Sequence, residues 1–172
     1  VAVIAGRAVA DVRAKVGLPE LVYVGNHGLE RWHEGQVEVL PEALAFRSAL
    51  ENVISRIEPQ LLPGMRLEDK QATLSIHYRQ AADPQAAQAL FAPLIERASR
   101  ENGVRVFAGK LLFEVRPPLD VDKGTAFARL ITDYALEAAV FLGDDVTDAD
   151  ALRRARDLRR DETCYSVGIG VE

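Results

Sequence analysis

Short runs of uninterrupted apolar residues lie near both ends of this chain, and the strands between them have a different character. Val1-Ala2-Val3-Ile4-Ala5, Leu21 to Val24 and Ala138 to Leu142 are apolar at every position, and Tyr165 to Val171 reads as a further strand. A strand without polar positions must be covered on both faces, which is how parallel strands flanked by helices are built. Val9, Val12 and Val16 recur at helical spacing after the first run, and Gly17-Leu18-Pro19 ends that pattern. Phe127, Leu130, Ile131, Tyr134 and Ala135 make one apolar helix face ahead of the third run. Buried strands alternating with amphipathic helices predict an open parallel sheet that takes ligands at the carboxyl ends of its strands.

The middle obeys another period. In Thr73-Leu74-Ser75-Ile76-His77-Tyr78-Arg79 the apolar Leu74, Ile76 and Tyr78 alternate with Ser75, His77 and Arg79, as in a sheet covered on one side only. Glu34-Gly35, Glu68-Asp69 and Ala108-Gly109 fall where hairpin turns belong, and helices are expected around Glu42 to Glu58 and Pro84 to Asn102. The expected organisation is a discontinuous core, residues 1–25 and 116–172, interrupted by an α+β insert of three hairpins and two helices at 26–115.

Composition narrows the function classes. The net charge of −5 and the lack of a dense Lys/Arg stripe disfavour nucleic acid, and the arginines at 153, 154, 156, 159 and 160 read as a solvated helix face. No apolar stretch approaches the roughly 18 residues of a membrane span. A single cysteine, Cys164, excludes an internal disulfide framework and fits a reducing cytosol, so a cytoplasmic protein is expected.

Three short segments carry the chemistry. Phe141-Leu142-Gly143-Asp144-Asp145-Val146-Thr147-Asp148-Ala149-Asp150 places four aspartates directly behind a buried strand. Consecutive side chains of an extended segment point apart, so Asp144 and Asp145 are expected to do different work. Thr147 reads as a helix N-cap, with Asp150 completing a capping-box-like pair. A carboxylate at a strand tip is costly to desolvate without a cation, and Mg²⁺ takes one or two carboxylates together with water and phosphate oxygens. Asp122-Lys123-Gly124-Thr125 starts the preceding helix, where a lysine and the helix amino end supply positive charge to carboxylates and phosphate. Ala5-Gly6-Arg7 follows the first parallel strand, a place where backbone amides and an arginine meet anions. Lys110 and Glu114 are read as lying on one strand face, roughly 13 Å apart, a span on the scale of a disaccharide.

"VAVIAGR", "DKGTA" and "GDDVTDAD", in that order, resemble motifs of the haloacid dehalogenase superfamily of phosphohydrolases. "YVGNHGLE", "SIHYR" and "KLLFEVRP" narrow the resemblance to the trehalose-6-phosphate phosphatase family, over practically the whole chain. The resemblance implies a Rossmann-like core with a parallel sheet and an inserted α/β cap. It implies Mg²⁺-dependent transfer of the phosphoryl group of trehalose 6-phosphate to an aspartate and then to water. Asp144 would ligate Mg²⁺, Asp145 and Asp148 would support the site, and Lys123 would hold the nucleophile and phosphoryl oxygens. Arg7, Asn26, His27, Glu30, Lys110 and Glu114 would bind substrate. His77 and Arg79 are equally well explained as solvated residues, and His33 as a surface residue beside a turn. The partner is a small molecule, with no nucleic acid and no membrane. The chain is expected to be a monomer, with a trehalose-phosphate synthase as a possible associate.

Two departures stand out. No Asp-x-Asp-Gly-Thr segment, the family's nucleophile segment, occurs in the 172 residues. A preceding strand and helix of about 30 residues is therefore expected, on the usual size of a βαβ unit, and the chain alone is expected to be inactive; its end soon after a strand also looks early. Ala5 stands where the family has Ser or Thr. The alternatives are a non-catalytic sugar-phosphate-binding regulatory domain and a phosphatase for another glycosyl phosphate such as sucrose phosphate.

Overall fold

The computed structural model describes residues 1–171 and divides into two compact units, Val1–Glu38 with Asp120–Glu172, and Val39–Leu119. Residues 26–38 pack with the outer segments, and residues 116–119 pack with the middle of the chain. No helix among the described residues is long and apolar enough to cross a membrane.

In the outer unit, β1 (Ala2–Ile4) and β2 (Val22–Gly25) are parallel, with Val3 opposite Tyr23. β2 continues antiparallel into β3 (Glu30–His33), and β4 (Gln36–Val39) completes this sheet. β9 (Ala138–Gly143) and β10 (Tyr165–Gly170) form a second, separate parallel pair. The apolar runs are therefore strands as expected, and among the described residues they pair as β1 with β2 and β9 with β10. α1 (Val9–Val16) packs Val9 and Val12 against Tyr23 on one face of the first sheet. Val24, on the opposite face, meets Ala126 and Leu130 of α5 (Lys123–Asp133).

α5 and α6 (Ala149–Arg160) together cover β9, joining Phe127, Ile131, Ala151, Ala155 and Leu158 to Phe141. The Phe127 and Phe141 rings meet edge to face, 5.6 Å between centroids. Each such large side chain contributes about 1.5–3 kcal/mol by leaving water. This cluster fixes where β9 ends relative to the start of α5. β9 departs from expectation on its other face, where Val140 and Leu142 are each 63% exposed. Its apolar run is covered on one side only among the described residues.

The insert's sheet is antiparallel in the order β5 (Arg66–Asp69), β6 (Leu74–His77), β8 (Leu112–Arg116), β7 (Arg105–Gly109). Leu74, Ile76, Phe113 and Val115 form one face, packed on Leu50, Val53 and Ile57 of α3 (Arg47–Ile57) and Phe91 and Ile95 of α4 (Pro84–Glu101). α2 (Pro41–Leu44) precedes α3. α4 starts where Asp83 accepts hydrogen bonds from the Gln85 and Ala86 amides and Pro84 occupies the first turn.

The Glu34-Gly35 turn is where expected, with both residues at positive φ, the backbone of a tight hairpin that matches strand twist. The other two turns move. Glu68 and Asp69 belong to β5, which turns at Lys70 to Ala72, and Ala108 and Gly109 belong to β7, which turns at Lys110-Leu111. In both hairpins cross-strand pairing extends further than the sequence pattern suggests.

Candidate functional site

Lys123 is the first residue of α5, and its position follows from the cap before it. The Asp122 carboxylate accepts the Thr125 amide at 2.8 Å, and the Thr125 hydroxyl accepts the Asp122 amide at 2.9 Å. Lys123 is only 7% exposed, yet its ammonium is satisfied: it donates to Asp148 Oδ1 at 2.5 Å. The other oxygen of that carboxylate accepts the backbone amides of Asp144 at 3.1 Å and Asp145 at 2.9 Å. Asp148 thus ties the strand tip to the helix start.

Burial pushes the Asp148 carboxyl up, but the hydrogen bond from Lys123, the two amides and the nearby ammonium charge outweigh it, and the carboxyl is held below its ordinary value. Gly143 makes this turn feasible, because a Cβ there would lie 2.5 Å from the Cβ of Asp148. Gly124 does the same on the other side, since a Cβ there would come within 2.6 Å of the Asp150 carbonyl oxygen.

The aspartates divide their work, although differently from the capping expectation. Asp145, not Thr147, opens the one-turn helix Val146–Asp148, its carboxylate accepting the Val146 amide at 2.6 Å. Asp150 pairs with Arg153 on the surface. Asp144 is exposed at the tip of β9. Among the described residues no three acidic, imidazole or thiol groups cluster in a way that could hold a metal. Asp144 offers a single open carboxylate, which suits a hard cation that draws its remaining oxygens from water and phosphate.

The second group surrounds the turn after β1. The Asn26 amide donates to the Arg7 carbonyl and the His27 amide to the Ala5 carbonyl, each at 2.9 Å. Asn26 and His27 both adopt positive φ and are buried. The His27 ring lies so close to Gly6 that a Cβ there would be 2.6 Å from it. Glu30 is 6% exposed, and its carboxylate accepts the amide of Val9 at the start of α1. The Arg7 guanidinium is exposed and bonds Asp11 at 2.9 Å along α1. Asn26, His27 and Glu30 therefore brace the Ala5-Gly6-Arg7 turn of the outer unit.

The insert holds the third group on the polar face of its sheet. Cross-strand pairing aligns Glu68, Ser75, Glu114 and Phe107 in one row. Glu114 is 7% exposed; Lys70 donates to its Oε1 at 3.4 Å, and Arg116 bonds its Oε2. Lys110 is exposed in the β7–β8 turn, so it is not a strand neighbour of Glu114 and the strand-spacing argument does not apply. His77 bonds Glu68 at 2.8 Å and His33 bonds Glu38 at 3.1 Å. Sequence reasoning did not pick out Lys70 and Arg116, because their proximity to Glu114 depends on strand register.

Parallel strand pairs backed by helices, with an aspartate-rich strand tip bonded to a helix-start lysine, define a mixed α/β protein with a charged strand edge. The chain belongs to the trehalose-phosphatase family, whose model matches residues 1–169. Over 159 residues, 88% of this chain and 40% of the relative, it is 34% identical to a trehalose-phosphate phosphatase of Mycobacterium marinum. The chain therefore spans about two fifths of the length of that relative. A solved trehalose-6-phosphate phosphatase related protein has the same fold, with a TM-score of 0.77 over 99% of this chain and 70% of that one, at 20% identity. The C-terminal domain of a Candida albicans trehalose-6-phosphate phosphatase is 25% identical, with a TM-score of 0.69 over 94% of this chain and 62% of that one.

Proposed function

We propose that this chain is the part of a trehalose-6-phosphate phosphatase that supports phosphoryl transfer and reads the sugar, the whole protein releasing trehalose and phosphate in the cytosol. The observation that carries this reading is the Lys123–Asp148 pair, buried at the tip of β9 beside the open carboxylate of Asp144. Lys123 lies at a helix amino end, so ammonium and helix dipole place positive charge where a phosphate ester gathers negative charge. Asp148 orients that ammonium and, through the amides of Asp144 and Asp145, sets the shape of the loop. Asp145 holds the next turn in place.

Asp144 would hold Mg²⁺, which when bound would neutralise charge on the transferring group. In the family mechanism the phosphoryl group moves to an aspartate and then to water; no residue of this chain is assigned as that nucleophile. Arg7, on the Ala5-Gly6-Arg7 turn braced by Asn26, His27 and Glu30, would offer its cation to phosphate or sugar oxygens. On the insert, Glu114 would accept hydrogen bonds from sugar hydroxyls, and Lys110 would contribute a mobile donor from its turn.

The test is phosphate release by the natural full-length protein from trehalose 6-phosphate, sucrose 6-phosphate and glucose 6-phosphate, with and without Mg²⁺. Selective, Mg²⁺-dependent release from trehalose 6-phosphate is expected, and equal rates on glucose 6-phosphate would remove the sugar reading. A second reading, a sugar-phosphate-binding regulatory domain, is favoured by Ala5, which stands where the family has Ser or Thr. It requires trehalose 6-phosphate binding without turnover. Association with a trehalose-phosphate synthase belongs to that reading.

A further inference from the structure

Glu114 carries an unusual burden for a residue on the polar face of a sheet. It is 7% exposed, and a carboxylate so far from water is retained only with cationic or hydrogen-bonding partners. Two arrive from different elements, one on each oxygen. Lys70 reaches Oε1 at 3.4 Å from the β5–β6 turn, and Arg116 reaches Oε2 from two residues along β8. Both cations are themselves sheltered, their side chains 9% and 16% exposed.

Neither cation is placed by chance. The Lys70 backbone is locked in the turn, its amide donating to the Thr73 carbonyl at 3.0 Å and its carbonyl accepting the Ala72 amide at 2.8 Å. The Arg116 guanidinium lies over the Phe107 ring, 4.8 Å from its centroid, and Phe107 is the cross-strand partner of Glu114. Ser75, opposite Glu114 on the other side, has a buried hydroxyl with no partner, so it does not compete for the carboxylate.

We propose that Lys70 and Arg116 are positioning residues for sugar recognition: together they fix the Glu114 carboxylate in one orientation, which sets the hydroxyl pattern it accepts. An ionised carboxylate has about four acceptor positions. With a cation on each oxygen the carboxylate is held in one direction, so a ligand must bring hydroxyl donors at matching positions. A carboxylate already immobilised also loses little rotamer freedom on binding. The proposal rests on the reading that Glu114 meets the sugar.

Calorimetric titration of the natural full-length protein with trehalose, alongside KM and kcat for trehalose 6-phosphate, tests both layers separately. Glu114→Gln should weaken trehalose binding by about tenfold or more, as truncating a buried polar anchor does. Lys70→Met should weaken it about as much in the wild-type background, raising KM with little change in kcat. In the Glu114→Gln background the same change should add less than about twofold, because the two act through one carboxylate. Lys70→Arg should recover most of the affinity, and Arg116→Met with Arg116→Lys repeats the comparison should Lys70→Met not fold. If Lys70→Met acts in full on top of Glu114→Gln, or leaves affinity unchanged while Glu114→Gln lowers it, the positioning role is overturned and the sugar reading stands. If Glu114→Gln itself binds trehalose normally, both fall.

Discussion

The ammonium of Lys123 and the carboxylate of Asp148 meet at 2.5 Å, each side chain 8% exposed, and join the start of α5 to the tip of β9. Removing one partner of a buried ion pair leaves the other uncompensated and typically costs about 3–5 kcal/mol. Lys123→Met alone, or Asp148→Leu alone, should lower unfolding stability by about that amount in urea titration. A loss below about 1 kcal/mol would place the pair in solvent, where such bridges contribute little.

The same carboxylate sets an acid limit. Asp148 is held below its ordinary value of 3.8, so the unfolded chain takes up this proton at a higher pH than the folded one. Its stabilising contribution is fully present above that ordinary value and is lost as pH falls through the folded value. Glu68, held down by His77 and Lys70 against the opposing effect of burial, and Asp69, held down chiefly by Arg47, act in the same direction. Stability followed by urea titration from neutral pH downward should stay level until about pH 5 and then drop. In Asp148→Asn the drop should be shallower.

Gly143 and Gly170 are partners across the β9–β10 ladder but differ in surroundings. A Cβ at Gly143 would meet the Asp148 side chain at 2.5 Å, whereas one at Gly170 would meet nothing within 4 Å. Gly143→Ala should therefore destabilise by about 1–3 kcal/mol and slow phosphate release by displacing Asp148, as overpacking does. Gly170→Ala should stay within about 0.5 kcal/mol of the parent. Thermal melts of the two variants give the comparison directly.

Glu30 connects β3 to the start of α1 by accepting the Val9 amide from a 6% exposed position. Glu30→Ala strands that amide, and a loss of about 1–3 kcal/mol is expected. Amide hydrogen exchange should locate the loosening at α1. Exchange that is unchanged there, with weaker trehalose binding, would shift Glu30 from bracing the turn to contacting the sugar.

Much of this was legible in the sequence, and the misses have physical causes. Periodicity marks α5 because Phe127, Leu130 and Ile131 face a core, and α4 lies where a helix from Pro84 to Asn102 is expected, with Asp83 and Asp122 capping the two helices in the structure. The union of Lys123 with the aspartate segment follows from motif order, since a helix start and the next strand tip share one sheet edge. Hairpin registers were less visible. Lys110 read as a strand-face neighbour of Glu114 and Lys70 did not stand out, whereas strand pairing brings Lys70 to Glu114 and leaves Lys110 in a turn. The apolar run of β9 suggested cover on both faces, and among the described residues only one face is covered, with Val140 and Leu142 exposed. The pairing of the Arg7 guanidinium with Asp11 did not stand out in the sequence.

The central claim is that the Lys123–Asp148 pair serves phosphoryl transfer and is more than a staple between helix and strand. The double variant Lys123→Met with Asp148→Asn separates the two, because it removes both charges together while Asn still offers an oxygen to the amides of Asp144 and Asp145. Replacing both partners of a buried pair is often close to neutral for stability. In the natural full-length protein with Mg²⁺, the double variant should melt near the wild-type temperature and release phosphate from trehalose 6-phosphate at least about 100-fold more slowly, the scale of one lost transition-state donor. Phosphate release within about threefold of wild type by a folded double variant would contradict the account.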